Sequence, residues 1–371
     1  METEDKRVQE IVMATRAESR IDEYLRDRLM PVEGTIPHLA RTDIYGNSIP
    51  AGSVSGDLFE YINFQQRYNI DARIDHALRL SKEYLEALPE GQTPRNVVDE
   101  FIHWLRLKSN PSGVQEVEYR RAKSSEQFMV AENLRELYTT AGVLLVDAQG
   151  HGIISAKIAS TVHDTFHALM LAELDDHGKT TPELFENINL RLAQSVTARN
   201  ALGHDAHDYS REIATMLYGE IRPDGQFRFV NFGSPPPLVF SAEFGRFMSM
   251  NTDQLVLFPA LGLEIPDDHP DRNKYFSAAH RQRQMNASNI GEITLMSPGD
   301  IVFLYSDGVY DGSDEEDRQR LEQVVRDYKH RGAKEICNAI LDHAVREDER
   351  LRRIGEEDRI DDKTALIIKH S

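Results

Sequence analysis

The sequence predicts an α+β protein in which antiparallel sheet is covered by helices, and three observations lead to this class. Short apolar or alternating runs, separated by turn residues, predict strands. Longer segments with apolar residues at spacings of three and four predict helices, which occur in pairs between groups of strands. Because the strands follow one another through short turns, antiparallel pairing is favoured over a doubly wound parallel sheet.

The predicted strands lie in four parts of the chain. The first occupies residues 54–64, and a second, residues 141–147, ends in a glycine loop. Four runs between residues 212 and 250 predict a meander: EIATMLYGEI, QFRFVNF, PPLVF and GRFMSM. Two runs on either side of Ser-Pro-Gly-Asp, EITLM and IVFLYSD, predict a hairpin, and KTALIIKH predicts the last strand.

Helices are predicted in three regions. An amphipathic helix within residues 1–30 opens the chain, and a helical region at about 66–138 interrupts the strand pattern. Two helices follow the strand at 141–147, the second behind Thr181 as N-cap, and two charged helices precede the last strand. We expect one domain over residues 31–371 with an insertion at 66–138; the alternative is a separate regulatory lobe made of the first helix and the insertion.

Composition limits the possible functions. The 371 residues carry a formal charge of −19, and no basic stripe with interleaved aromatic residues offsets it, so nucleic acid is not an expected partner. The charged N-terminus lacks the apolar core of a signal peptide, and no apolar stretch reaches roughly 18 residues, which favours a cytoplasmic protein without a membrane partner. The single cysteine, Cys337, is expected to be a buried, inert thiol.

Aspartates at the ends of apolar runs are the strongest chemical signal. Asp57 lies within a strand, Asp147 follows LLV, Asp307 follows IVFLYS, and Asp361 and Asp362 precede TALII. Burying a carboxylate costs several kcal/mol unless a counter-charge compensates, and Mg²⁺ or Mn²⁺ favours such oxygen ligands. A pair of these ions can activate water and hold a phosphoryl group. Each aspartate alone could instead cap a turn.

Eight segments, taken together and in order, resemble the metal-dependent protein phosphatase (PPM) superfamily, specifically its bacterial SpoIIE-type and RsbU-type branch. The resemblance covers about residues 21–369, with the helical insertion as the main departure. The segments are YLRDRLMP, IPAGSVSGDLFEY, LLVDAQGHGIISAKIA, ATMLYGEI, FVNFGSPPPLVF, ALGL, MSPGDIVFLYSDGVYDG and IDDKTALII.

The resemblance implies a four-layer α-β-β-α sandwich with two Mn²⁺ or Mg²⁺ ions at one end. It implies that Asp147 bridges both ions, that the carbonyl of Ala148 completes one shell, and that Asp307 and Asp361 hold the second ion. Asp57 would ligate through water, and Asp362 ranks second to Asp361 because relatives carry Asn or Asp there. A metal-activated water would attack phosphoserine or phosphothreonine.

Three positions depart from the family pattern. Glu60 replaces a usual Asp, and Ser234 replaces a usual histidine. Gln149 occupies the place of a histidine proposed as general acid in eukaryotic members, so His151, two residues on, becomes the candidate acid.

Other interpretations remain open at this point. His163, Asp164 and His167 could indicate an HD-type phosphohydrolase, and the polar cluster at residues 204–208 could hold a metal, although an exposed loop explains it more simply. The chain could also be a phosphoprotein-binding regulatory module without catalysis.

The resemblance further implies a phosphorylated regulatory protein, such as an anti-sigma-factor antagonist, as substrate. A homodimer or a regulatory partner could use the first helix or the insertion around Trp104, because both have apolar faces.

Overall fold

Eleven strands and seven α-helices form the part of the protein that the computed structural model describes: residues 36–52, 54–86, 116–150, 152–201, 213–250, 257–263, 291–295, 297–312 and 315–371. The chain divides into two compact units. The first draws its described residues from Met1–Asn63, Ala141–Thr165 and Ile188–Ser371, and the second from Phe64–Thr140 and Phe166–Asn187.

Two sheets lie in the first unit. Sheet I has the order β1 (Thr42–Ile49), β11 (Lys363–His370), β10 (Ile301–Tyr305), β6 (Leu238–Ser241) and β7 (Arg246–Phe247). Sheet II has the order β2 (Asp57–Asn63), β3 (Ala141–Ala148), β4 (Ala214–Ile221), β5 (Gln226–Phe232) and β8 (Leu257–Phe258), with β9 (Gly291–Thr294) also paired to β5. All pairings are antiparallel except the short β5–β8 contact.

The helices complete the layers. They are α1 (Phe64–Tyr68), α2 (Ile70–Glu86), α3 (Glu116–Glu136), α4 (Ile153–Asp176), α5 (Pro182–Ala201), α6 (Glu315–Tyr328) and α7 (Ala333–Ile354). Buried side chains of α6 and α7 pack on the outer face of sheet I, and the first half of α4 meets the outer face of sheet II, where His163 contacts Glu60. This arrangement confirms the predicted α-β-β-α sandwich. No helix in the described ranges is both long and apolar enough to cross a membrane.

An apolar core fills the space between the sheets. Side chains alternate along each strand, so every second residue of both sheets points inward. The inner set consists of Ile44, Tyr61, Val143, Leu145, Leu217, Phe229, Val302, Leu304, Leu366 and Ile368, among others. The other face of sheet I packs Phe303, Tyr305, Ala365 and Ile367 against the two C-terminal helices. Cys337 is buried in that layer, as predicted.

Two sequence predictions of strand pairing are wrong. The meander between residues 212 and 250 divides into a β4–β5 hairpin in sheet II and a β6–β7 hairpin in sheet I. The hairpin on either side of Ser-Pro-Gly-Asp does not exist, because β9 pairs with β5 whereas β10 pairs with β11 and β6. In both cases the connection carries the chain from one sheet to the other. A turn motif alone does not distinguish this crossing from a hairpin.

The second unit is helical in its described part. It contains α1, α2, α3 and the later half of α4, together with the start of α5. Helices α2 and α3 pack together, and the buried hydroxyls of Ser81 and Ser124 lie 2.9 Å apart between them. All described residues of the segment predicted as an insertion, 66–138, lie in this unit, which also includes residues 166–187. The helix predicted within residues 1–30 lies outside the described residues.

Candidate metal centre

Four strand ends meet at one end of the sandwich. Strand β2 begins with Asp57, which lies directly opposite Asp147 near the end of β3. In sheet I, β10 ends just before Ser306 and Asp307, and β11 begins just after Asp361 and Asp362. Because β10 and β11 are antiparallel, the end of one and the start of the other lie side by side.

The two-residue period of the strands turns several of these side chains inward. Asp57 shares its face with Tyr61, and Asp147 shares its face with Val143 and Leu145, which all belong to the core between the sheets. In sheet I, Ser306 and Thr364 continue the inward series of Leu304 and Leu366. The inner face therefore changes from apolar to polar at this end.

Two hydroxyl groups of sheet I hold the carboxylate of Asp57. The Ser306 hydroxyl donates to Asp57 Oδ2 over 2.6 Å, and the Thr364 hydroxyl donates to the same oxygen over 2.8 Å. Ser48 Oγ lies 2.8 Å from Thr364 Oγ1 and can donate to it. Asp57 is only 4% exposed. The two hydrogen bonds from sheet I therefore fix one oxygen of a buried carboxylate in sheet II.

The neighbouring aspartates Asp361 and Asp362 have different surroundings. Asp362 is 2% exposed, and its two oxygens accept the backbone N–H groups of Ala51 (2.7 Å) and Gly56 (2.6 Å). Asp361 accepts only the N–H of Asp362 among the described contacts of its carboxylate. Gly308 packs so closely that a Cβ there would lie 2.1 Å from the carbonyl oxygen of Asp362. This contact keeps the Asp307 turn against the Asp361–Asp362 segment.

Burial and mutual repulsion raise the pKa values of these carboxyl groups. Burial raises the pKa of Asp57 to about 7, against the opposing effect of the Ser306 and Thr364 hydrogen bonds. Burial, together with the charges of Asp57, Asp307 and Asp361, raises the pKa of Asp147 to about 9. The pKa of Asp307 is also raised, mainly by partial burial and secondly by the charge of Asp361. The pKa of Asp147 is therefore raised by the charges of all three other carboxylates, Asp57, Asp307 and Asp361.

The residues fit a divalent cation on these observations. Several carboxylates that disfavour one another's charge are stabilised when a cation lies between them. The buried Lys363 does not supply this charge, because its side chain points to the opposite face of sheet I. There its ammonium group contacts Asp348 Oδ2 at 2.8 Å and the carbonyl oxygen of Asp361 at 2.7 Å.

The raised pKa values predict how the stability of metal-free protein depends on pH. In EDTA, we expect the free energy of unfolding to fall as the pH rises from about 5 to about 9. The folded protein keeps protons on Asp57 and Asp147 that the unfolded chain releases near pH 4, so this stability is lost as the pH rises through about 7 and about 9. Each group contributes at most about 1.4 kcal/mol per pH unit.

Thermal unfolding over this pH range measures the effect. Asp147→Asn should show a weaker pH dependence, whereas Asp342→Asn, on an exposed position of α7, should match wild type. Stability of metal-free wild type that rises with pH over the same interval would contradict the expected proton linkage.

The buried ion pair beside the centre predicts an asymmetric response to mutation. Lys363 is 2% exposed, so Asp348→Ala leaves its ammonium group without a counter-charge and should destabilise the protein by about 3–5 kcal/mol. The double variant Asp348→Ala with Lys363→Met should recover most of that loss, because it leaves neither charge buried. Urea unfolding of the two single variants and the double variant measures the coupling. If the double variant were no more stable than Asp348→Ala, the unpaired charge of Lys363 could not be the cause of the destabilisation.

The other residues singled out in the sequence lie in different places. Ala148 lies at the end of β3, where its N–H donates to the carbonyl of Gly56 at 3.2 Å. His151 and the cluster at residues 204–208 lie outside the described residues. Glu60 lies on the outer face of β2 and contacts His163 Nε2 at 2.9 Å, away from Asp57. Ser234 is buried in the loop after β5.

The three residues behind the HD-type interpretation, His163, Asp164 and His167, have different surroundings. His163 is engaged by Glu60, and the side chain of Asp164 is 80% exposed. His167 belongs to the second unit, where Tyr68 Oη lies 2.5 Å from its Nδ1.

Sequence reasoning missed Ser306, Thr364 and Lys363. A signal for the first two exists: each is a hydroxyl residue in phase with the inward apolar residues of a buried strand, next to a candidate ligand. Lys363 gives a weaker signal, because a lysine at the start of a strand is usually exposed.

Comparisons with known proteins identify the family of the chain. The family model described as Stage II sporulation protein E (SpoIIE) matches residues 139–276 and 292–371, more than half of the chain. The matched ranges contain Asp147, Asp307, Asp361 and Asp362. No curated protein sequence matches the chain.

Three solved structures illustrate the structural likeness. The SiaA-PP2C domain of Pseudomonas aeruginosa is 13% identical, with 98% of each chain covered and a TM-score of 0.48. The SpoIIE phosphatase domain of Bacillus subtilis is 12% identical, with 90% of this chain and 94% of that chain covered and a TM-score of 0.40.

The third structure contains the RsbU and RsbW domains of Rv1364c from Mycobacterium tuberculosis. It is 19% identical with a TM-score of 0.40, and the alignment covers 62% of this chain but only 52% of that longer chain. The resemblance inferred from the sequence motifs is confirmed by the match of the family model. The chain belongs to the Stage II sporulation protein E (SpoIIE) family.

Proposed function

We propose that this chain is a metal-dependent phosphatase that hydrolyses phosphoserine or phosphothreonine in a protein. One observation carries the proposal: in a member of this family, Asp57 and Asp147 face each other in sheet II, and the charge of Asp307 in sheet I acts on both of them. The charge of Asp361 acts on Asp147 as well. Membership of the SpoIIE family supports the choice of a phosphoprotein over other phosphate esters.

Five residues would hold two Mn²⁺ or Mg²⁺ ions. Asp147, on whose carboxyl group three other carboxylates act, would contribute to both ions, and Asp307 and Asp361 would hold one ion from sheet I. Asp57 and the carbonyl of Ala148 would complete the set from sheet II. When bound, the ions supply an activated water and positive charge for the phosphoryl group.

The chain's own residues prepare this site by fixing the aspartates. Ser306 and Thr364 orient Asp57 by holding one of its oxygens. Lys363 holds the backbone carbonyl of Asp361 from the opposite face of the sheet. His151, which follows Ala148 by three residues in the sequence, is proposed as the residue that protonates the leaving group.

A phosphorylated regulatory protein is the proposed substrate. The proposal follows from membership of the SpoIIE family together with the sequence resemblance to its RsbU-type branch. An anti-sigma-factor antagonist in the cytoplasm is the specific candidate. We also propose that a homodimer or a regulatory partner controls activity through the helix predicted within residues 1–30 or through the insertion at 66–138.

Metal-dependent turnover is the test. We expect the full chain to hydrolyse para-nitrophenyl phosphate and a phosphoserine protein with Mn²⁺ or Mg²⁺, and to lose activity in EDTA. Activity that persists in EDTA would overturn the metal-dependent mechanism. Tight binding of the phosphoprotein without turnover with either metal would favour the alternative, a phosphoprotein-binding module on the same fold.

A further inference from the structure

The segment that leads into Asp57 is held by an aspartate of the other sheet. Residues 50–56 connect the end of β1 in sheet I to the start of β2 in sheet II. Asp362 contacts both ends of this connection: Oδ1 accepts the N–H of Ala51, and Oδ2 accepts the N–H of Gly56. Both distances, 2.7 and 2.6 Å, are typical of strong hydrogen bonds to a charged acceptor.

The peptide of Gly56 is fixed on both sides. Its N–H donates to Asp362, and its carbonyl accepts the N–H of Ala148 at the end of β3. A side chain at this position would not fit, because a Cβ would lie 2.8 Å from Ser155 Cβ. Gly56 therefore lies in a narrow space beside Ser155 at the start of α4 and Ala148 at the end of β3, immediately before Asp57.

We propose that Asp362 is a positioning residue that ties sheet I to the segment preceding Asp57, in place of the metal-ligand role that the sequence suggested. A carboxylate suits this task, because it accepts hydrogen bonds at both oxygens and donates none. With both oxygens occupied by backbone amides, Asp362 holds Ala51 and Gly56. The charge of Asp362 also acts on Asp57, whereas the charge of Asp361 acts on Asp147 and Asp307. The inference rests on the proposed function in one respect: it takes the neighbouring carboxylates to be a metal centre. The hydrogen bonds of Asp362 to Ala51 and Gly56 do not depend on that function.

Asp362→Asn and Asp361→Asn form a matched pair, since the same chemical change is made at adjacent residues. In Asp362→Asn one oxygen becomes an NH₂ group, which cannot accept the hydrogen of a backbone amide. We expect hydrogen exchange to accelerate roughly tenfold or more at whichever of Ala51 and Gly56 loses its acceptor, as for loss of a charge-assisted hydrogen bond. The amides of β10 should keep their wild-type rates, and the Mn²⁺ stoichiometry by calorimetry should not change.

Asp361→Asn should give the opposite pattern. Mn²⁺ affinity should fall by about a hundredfold or the stoichiometry should decrease, whereas Ala51 and Gly56 should keep their protection. An Asp362→Asn variant that loses Mn²⁺ as Asp361→Asn does, with both amides still protected, would overturn the proposal and make Asp362 a ligand.

Wild-type protein supplies a test that does not depend on the folding of a variant. The amides of Ala51 and Gly56 should be protected in EDTA as well as in Mn²⁺, because the carboxylate of Asp362 needs no metal to bind them. Exchange of both amides at the rate of an unstructured chain would refute the tie. Neither readout uses turnover, so a chain without phosphatase activity could still confirm the tie.

Discussion

Asp147→Asn should abolish both metal binding and phosphatase activity while leaving the protein folded. Asp147 is the carboxyl group whose pKa is raised by three others, so a ligand shared by two cations is expected there. The amide keeps the shape of the side chain but replaces an anionic oxygen with an NH₂ group, which cannot bind a cation. We expect kcat/KM for para-nitrophenyl phosphate to fall by about 10³-fold or more, a loss of about 4 kcal/mol.

Thermal unfolding separates loss of metal from loss of fold. Wild type should gain about 2–4 kcal/mol of stability in Mn²⁺ at 100 to 1,000 times the dissociation constant, whereas Asp147→Asn should gain little. In EDTA near pH 9 the variant should be at least as stable as wild type, because burial and the neighbouring carboxylates disfavour the charge of Asp147. Asp342→Asn serves as the control. Retention of Mn²⁺-dependent stabilisation by Asp147→Asn would remove Asp147 from the metal centre.

The central strands and their terminal aspartates were predictable because their signals are local. Strands β3, β10 and β11 are apolar runs of buried residues, and an aspartate next to such a run stands out against the cost of burying charge. The antiparallel class also followed from local turns. These local patterns place each candidate ligand at the end of a strand, but they do not predict which strand ends lie next to one another.

Strand β1 was not predicted, because its conformation depends on a distant partner. Its sequence, TDIYGNSI, contains Gly46, Asn47 and Ser48, all poor or neutral strand formers, and it lies at the edge of sheet I. It pairs residue by residue with β11, from Thr42 opposite His370 to Ile49 opposite Lys363. More than 300 residues separate these partners, so no window of sequence reveals the pairing.

The distinction between Asp361 and Asp362 also required the structure. The sequence resemblance ranks Asp361 above Asp362 as a metal ligand, but it does not show what Asp362 contacts instead. Successive side chains point in different directions along an extended chain. Contacts with Ala51 and Gly56, about 300 residues away, occupy the second aspartate. The division of β4–β7 between two sheets has the same origin, because the partners that decide it lie far along the chain.

Gly308→Ala should damage the metal centre more than it damages the fold. The added Cβ would lie 2.1 Å from the carbonyl oxygen of Asp362 and 3.2 Å from the carbonyl carbon of Asp361, so the backbone itself must move. We expect a destabilisation of about 1–3 kcal/mol from overpacking. The movement separates the Asp307 turn from Asp361, and a displacement of roughly 1 Å can lower turnover by about 10²-fold.

Calorimetric titration with Mn²⁺, turnover of para-nitrophenyl phosphate and urea unfolding together test this expectation. Gly52→Ala is the matched control, because a Cβ at Gly52 would meet no atom within 4 Å. If Gly308→Ala kept wild-type Mn²⁺ affinity and turnover, the Asp307 turn and the Asp361 segment could not both contribute ligands to one ion. A parallel loss in Gly52→Ala would instead show that the response to an added methyl group is not specific to the contact with Asp362.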